Sequence, residues 1–274
     1  MMRLLVKVII AAISIFAILY PFIVKPPAPI EPVPEPEVTV TKPPLKEVEK
    51  PLHKVKLPEF GKIRDIATKK KRFFDFIKPH VEAENELILQ QRASIEIALM
   101  MLQFEEPLSD IQQQRIEQVF KLYKIEDETI SVDNLKRALR RVDIIPKELA
   151  LMQAANESAW GTSRFARIGL NFFGQWCYRK GCGMIPKRRN DEAAHEVAAF
   201  QSVRASVKSY FRNINTHDAY KDLRATRAKL REQKKPIEAT ALTAGLLSYS
   251  ERGVHYIEEL NDMIRHNKAY FDEE

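Results

Sequence analysis

Glycine is scarce in this chain, at 8 of 274 residues. The sequence is filled instead with Glu, Lys, Arg, Leu and Ala, a composition that favours helix over strand. Cysteine is scarcer still: Cys177 and Cys182 are the only two. Without further Cys or His at ligand spacing they make a poor zinc site. In an oxidising compartment a pair this close, within "CYRKGCG", is expected to form a disulfide. Such a bridge closes a small loop, so its value lies in fixing local shape. No internal repeat is present, which excludes a solenoid. The acidic stretch "EDETISVD" lacks the glycine and ligand spacing of an EF-hand, so calcium is excluded as well. No metal or other cofactor is expected.

Acidic residues are in deficit, 37 against 44 Lys and Arg, giving a formal net charge of +7 and a pI of about 9.2. A basic chain suits a polyanionic partner: nucleic acid, anionic lipid or an acidic cell-wall polymer. The N-terminus chooses among these. "MMRLLVKVIIAAISIFAILYPFIVK" places Arg3 and Lys7 before an uncharged apolar run from Val8 to Val24. As a helix that run is roughly 26 Å long, close to the hydrocarbon thickness of a bilayer at about 30 Å. No Ala-x-Ala cleavage pattern follows, so residues 1–25 are expected to be an uncleaved inner-membrane anchor, with a cleaved signal peptide as the other reading. Either way the preceding positive charge sends the rest of the chain outward. That sets nucleic acid aside and implies a periplasmic or other extracytoplasmic location.

Residues 26–58 are dense in Pro, Glu, Lys and Val and are expected to form an extended, semi-rigid spacer. From Gly61 the pattern turns helical. A first apolar-periodic stretch runs to Phe104 and is expected to break at Pro79. "SDIQQQRIEQVFKLYKI" restarts with Ser109 or Asp110 as N-cap. "SVDNLKRALRRVD" gives another helix, and Pro146 opens the next. Residues 171–200 hold aromatics, glycines, the cysteine pair and a polar turn, the pattern of a small β-hairpin lobe. Helical spacing then returns. The expected fold is mainly α, with helices over 59–130 preceding a domain over 131–274.

One acidic residue sits badly. In "NESAWG", Glu157 falls in the last turn of the helix that begins near Pro146, with Gly161 just past its end and Thr162 or Ser163 available to cap the next. The carbonyl end of a helix and the apolar neighbours Ala154, Ala155 and Ala159 both disfavour a carboxylate, so the Glu157 pKa is expected to rise. A carboxylic acid of raised pKa is what a glycosidase uses to protonate a leaving oxygen. The bland reading is a solvated Glu tolerating a poor position.

The string "ALMQAANESAWGTSRFA", followed by "NFFG", resembles the glucosaminidase family of peptidoglycan hydrolases, glycoside hydrolase family seventy-three. Gln153, Ala154, Glu157, Ser158, Trp160, Gly161 and Ser163 match its pattern, as do Asn171, Phe173 and Gly174. The resemblance spans roughly residues 132–266. It implies a lysozyme-like helical domain with a small β lobe, Glu157 as the essential acid, and peptidoglycan glycan strands as substrate. The bond implied is the β-1,4 linkage on the reducing side of N-acetylglucosamine. The carboxylates of the wall's stem peptides agree with the basic charge.

The family places its second carboxylate in the β lobe. Here Asp191, Glu192 and Glu196 fall there, in a segment that departs from the usual lobe sequence. Glu196 is preferred because Val197 and Phe200 suggest a strand that holds it, with Glu192 the next choice. The substrate's acetamido group is a further candidate nucleophile. Tyr249 and Tyr256 resemble the family's Tyr-Ala-x-Asp-x-x-Tyr segment, although Ser250 and Gly253 depart from it. Tyr249 is expected to steady the acid or bind sugar, and Tyr256 to pack. Phe173 is a candidate sugar contact, and Trp160 is expected to be core. The alternatives are a lytic transglycosylase, which uses one Glu and the substrate's own hydroxyl, and a wall-binding protein that kept the fold without activity.

Overall fold

A 38-residue helix, α1 (Ile66–Gln103), is the longest element. Asp65 caps it, accepting a hydrogen bond from the Thr68 N–H at 2.8 Å. Its inner face carries Phe73, Phe74, Ile77, Val81, Ile88, Ile95 and Ala98, all buried. Pro79 does not break it, contrary to the sequence expectation. An interior proline costs about 3 kcal/mol through its missing N–H and its clash with the preceding turn. Pro79 lies on the solvent-exposed side of α1, where water reaches the backbone carbonyl it leaves unpaired. The continuous apolar face on the other side offsets the cost.

The computed structural model describes residues 50–186 and 195–271. The expected anchor over 1–25 and most of the 26–58 spacer lie outside the described residues. Among those described, no helix is long and apolar enough to cross a membrane. The end of the spacer is not free. The Leu52 N–H donates to the Ile168 carbonyl at 2.9 Å, and His53 Nε2 bonds the Arg167 carbonyl at 2.9 Å.

Helix α2 (Asp110–Leu122) starts at Ser109 in a full capping box with Gln112. Ser131 caps α3 (Val132–Arg141), and Pro146 immediately precedes α4 (Lys147–Glu157). Ser163 caps α5 (Arg164–Gly169) through the Ala166 N–H. A three-stranded antiparallel sheet follows, with β3 (Glu196–Ala198) between β1 (Trp176–Cys177) and β2 (Gly183–Met184). Trp176 pairs with Val197, and Gly183 with Ala198. The remaining helices are α6 (Val203–Thr216), α7 (Lys221–Glu232), α8 (Ala239–Leu242) and α9 (Val254–His266). The fold is therefore mainly α with a small β lobe, consistent with the lysozyme-like expectation.

Val48–Glu274 forms one compact unit. The helices over 59–130 are not a separate appendage, because α1 packs on α3, α4 and α6 and its buried residues belong to the same hydrophobic core. Helix α4 runs through that core: Leu149 to Ala155 are all buried. A helix clamped on every side holds its last residue, Glu157, in a fixed place.

Candidate active site

Helix α4 ends at Glu157 through an unusual backbone run. Ala159, Trp160 and Gly161 take φ values of 49°, 57° and 75° in succession. Left-handed conformation costs a residue with a Cβ roughly 1–2 kcal/mol, so Ala159 and Trp160 are held there by their surroundings. Ser158 is fully buried, and its Oγ accepts the Gly161 N–H at 2.8 Å. Trp160 packs edge-on against Phe73 and Phe74 at 5.6 and 5.4 Å, with Lys70 Nζ 5.4 Å from its ring centre. Gly161 is required for space as well as for φ, since a Cβ there would lie 2.5 Å from Phe60 Cδ2. Trp160 is a wedge that sets the helix end, as expected.

The segment Asn171–Gly174 supplies the opposite wall. Asn171 satisfies all its amide capacity with backbone groups of this turn and of β3. Its Nδ2 donates to the Gln175 and Ala198 carbonyls at 2.8 and 2.9 Å, and its Oδ1 accepts the Phe173 and Gln175 N–H groups. That pins the turn to β3. Gly174 has φ +64°, and a Cβ built there would sit 3.1 Å from Glu157 Oε2. A side chain at this position would press on that carboxyl oxygen, and glycine avoids the contact. Gly174→Ala is expected to lower stability by about 1–2 kcal/mol from the backbone alone. It should also lower kcat/KM by up to about 10²-fold through displacement of the acid. Thermal melting and steady-state kinetics check the two effects separately.

Behind Glu157 runs a buried polar chain. Tyr210 Oη donates to Gln153 Oε1 at 2.6 Å, and Gln153 Nε2 donates to Tyr256 Oη at 3.0 Å. With its lone pair so engaged, the Tyr256 hydroxyl can turn its own proton only toward Glu157, and it pulls the Glu157 pKa down. Burial pushes the Glu157 pKa up. The Tyr256 hydroxyl and the Arg252 charge pull the other way, Glu259 adds to the rise, and the net shift is upward. Arg252 is itself ion-paired with Glu259, which limits its pull on the acid.

The tyrosine roles are the reverse of those expected from sequence. Tyr256, expected to pack, is the tyrosine whose hydroxyl lowers the Glu157 pKa. Tyr249, expected to steady the acid, stacks on Tyr256 at 5.7 Å and donates its hydroxyl to the Phe173 carbonyl at 2.8 Å. Phe173 is only 1 % exposed and stacks on Tyr210 at 4.1 Å. It is a core residue and presents no face to a sugar, so its candidacy as a sugar contact is corrected. Sequence separation hid these relations, since Gln153 and Tyr256 are 103 residues apart.

Glu196 also differs from expectation. It is held rigidly in β3, as foreseen, but its two oxygens accept the Gly181 and Gly183 N–H groups at 2.9 and 2.8 Å, and it is buried. A carboxylate spent on two backbone donors braces the hairpin loop and is not poised to activate water. Glu192 and Asp191 lie outside the described residues. Cys177 and Cys182 form the expected disulfide. Glu196 lies beside these sulfurs, but the bridge removes the thiolates a metal would need.

The hairpin also carries what the sequence reading passed over. Trp176 and Tyr178 are 49 % and 80 % exposed, the latter inside the disulfide loop. His195 packs edge-on between them, 4.4 Å from Trp176 and 6.5 Å from Tyr178. Both Glu157 and Tyr178 lie within electrostatic reach of Tyr220.

Two comparisons bear on this geometry. A family model described as "Glucosaminidase: Mannosyl-glycoprotein endo-beta-N-acetylglucosaminidase" matches residues 132–269. Protein bax of Escherichia coli (strain K12) is 32% identical over 216 residues, covering 77% of this chain and 74% of its own. The chain belongs to the glucosaminidase family. No solved structure matches it. Membership makes it a glycoside hydrolase by family, and the matched span contains Glu157, Gln153, Gly174 and Tyr256 together.

Proposed function

We propose that this protein hydrolyses peptidoglycan at the β-1,4 bond on the reducing side of N-acetylglucosamine, with Glu157 as general acid. The observation that carries the reading is a carboxyl group of raised pKa, fixed at a helix end and spared a side-chain contact by Gly174. In the protonated state, Tyr256 donates to one Glu157 oxygen and the acid proton sits on the other. That proton passes to the glycosidic oxygen as the bond to the anomeric carbon breaks; water then supplies the hydroxyl at that carbon and returns its other proton to the Glu157 carboxylate. Gln153 and Tyr210 act as positioning residues, fixing the direction of the Tyr256 proton.

With Phe173 in the core, the sugar platform is assigned to Trp176 and Tyr178. Trp176→Ala and Tyr178→Ala are each expected to raise KM about threefold to tenfold with kcat nearly unchanged, the loss of one stacking contact. A fall in kcat alone would remove them from the binding face. The N-terminal apolar run and the disulfide support a periplasmic, membrane-tethered location.

Mass spectrometry of borohydride-reduced digests of purified peptidoglycan tests the bond assignment. N-acetylglucosaminitol at the new ends is the expected product. Anhydro-muramic ends would make the protein a lytic transglycosylase, and an undigested wall would leave it a binding protein.

A further inference from the structure

Away from the Glu157 site, α3, α7 and the turn after α2 enclose a groove of about 590 Å³ lined by seven basic side chains and two acidic ones, Glu126 and Glu232. Arg224 is buried and Arg141 half-buried, while Arg137, Arg140, Lys221 and Lys229 are exposed. Among the described residues none of the seven lies within ion-pair distance of a carboxylate.

The two inner arginines are held by helix ends. Arg224 Nη1 donates to the Ile214 and His217 carbonyls, both at 2.8 Å. Arg141 Nη1 donates to the Tyr123 and Lys124 carbonyls. Each guanidinium keeps further N–H donors that bond no described acceptor. Burial and the nearby Arg141 charge both depress the Arg224 pKa, and Asp218 opposes them only from a distance. Two rigid, like-charged forks facing one groove are unfavourable together until an anion joins them.

We propose that this groove is a second wall-binding site, taking the carboxylates of peptidoglycan stem peptides and holding the strand while Glu157 works elsewhere on it. The substrate class rests on the proposed function. A concave site suits a peptide chain, because a flat bilayer surface cannot reach Arg224 at 6 % exposure. Bidentate carboxylate recognition is the natural use of a preorganised guanidinium.

The test uses the full chain with Arg137→Glu and Lys229→Glu combined. Its co-sedimentation with purified sacculi should weaken about tenfold relative to wild type, as expected for opposing two charge contacts. Binding to sacculi stripped of stem peptides by an amidase should be equally weak for both proteins. Melting temperature and turnover of an uncharged chitooligosaccharide should stay unchanged. Equal binding of variant and wild type to intact sacculi would overturn the proposal. So would groove-dependent binding to phosphatidylglycerol vesicles without groove-dependent binding to sacculi. If the groove effect appears but neither protein cleaves glycan, the hydrolase reading fails and the groove assignment stands.

Discussion

Glu157→Gln is expected to lower kcat/KM on peptidoglycan by roughly 10²–10⁴-fold, the range of a positioned general acid. The fold should survive, because Gln offers the Tyr256 hydroxyl the same acceptor oxygen and fits the same space. The variant should also be more stable at neutral pH. Burial raises the folded-state pKa of Glu157 above its ordinary value. As pH climbs past the ordinary carboxylate range, the unfolded chain ionises first and the native state bears the penalty. That penalty is absent below the ordinary Glu pKa and complete above the folded one. The Tm of Glu157→Gln should therefore match wild type in acid and exceed it near neutrality. Loss of activity with a lower Tm at every pH would make Glu157 a structural residue.

The second large effect lies at the base of α4. Asp143 is 2 % exposed and receives Arg231 in a two-point pair at 2.8 and 3.1 Å. Arg92 of α1 reaches it at 3.3 Å, and fully buried Arg227 lies 3.9 Å away. Arg227 also bonds the Arg140, Arg141, Asp143 and Ile144 carbonyls. One carboxylate thus ties α1 and α7 to the turn that launches α4. Asp143→Ala leaves Arg227 charged, buried and unpaired, and is expected to cost about 3–5 kcal/mol. Urea unfolding measures it. Burial alone would raise the Asp143 pKa, but the three arginines outweigh it and hold the carboxyl below its ordinary value. Its contribution is present above the unfolded Asp pKa and is lost as pH falls through the folded one. The wild-type protein should accordingly lose stability steeply in acid, and Asp143→Ala should flatten that dependence.

Local signals carried well from sequence to structure. The end of α4 is punctuated within a few residues by Glu157, Gly161 and the Ser163 cap, so helix termination was legible without a fold. The disulfide and the small lobe were legible because they span few residues. Pro79 misled because propensity concerns one turn, whereas the core that keeps α1 continuous spans its whole inner face. The roles of Tyr249, Tyr256 and Phe173 depended on packing between α4, α6 and α9. Nothing in "LLSYSERGVHYIEEL" distinguishes a tyrosine whose hydroxyl acts on the acid from one that stacks behind it. Glu196 was placed on the correct strand, but the use of its oxygens by Gly181 and Gly183 is a matter of hairpin geometry. The basic groove was invisible for the same reason: its residues come from segments about 90 residues apart and read singly as solvated charges.

The central claim is that the fold holds a proton on Glu157 by burying it at a helix end. A ¹³C NMR titration of side-chain carboxyl groups in the intact folded protein, with Glu157 assigned by its loss in Glu157→Gln, tests it most directly. The predicted result is a midpoint above the ordinary glutamate value that coincides with the alkaline limb of kcat/KM. A midpoint at or below the ordinary value would contradict the account.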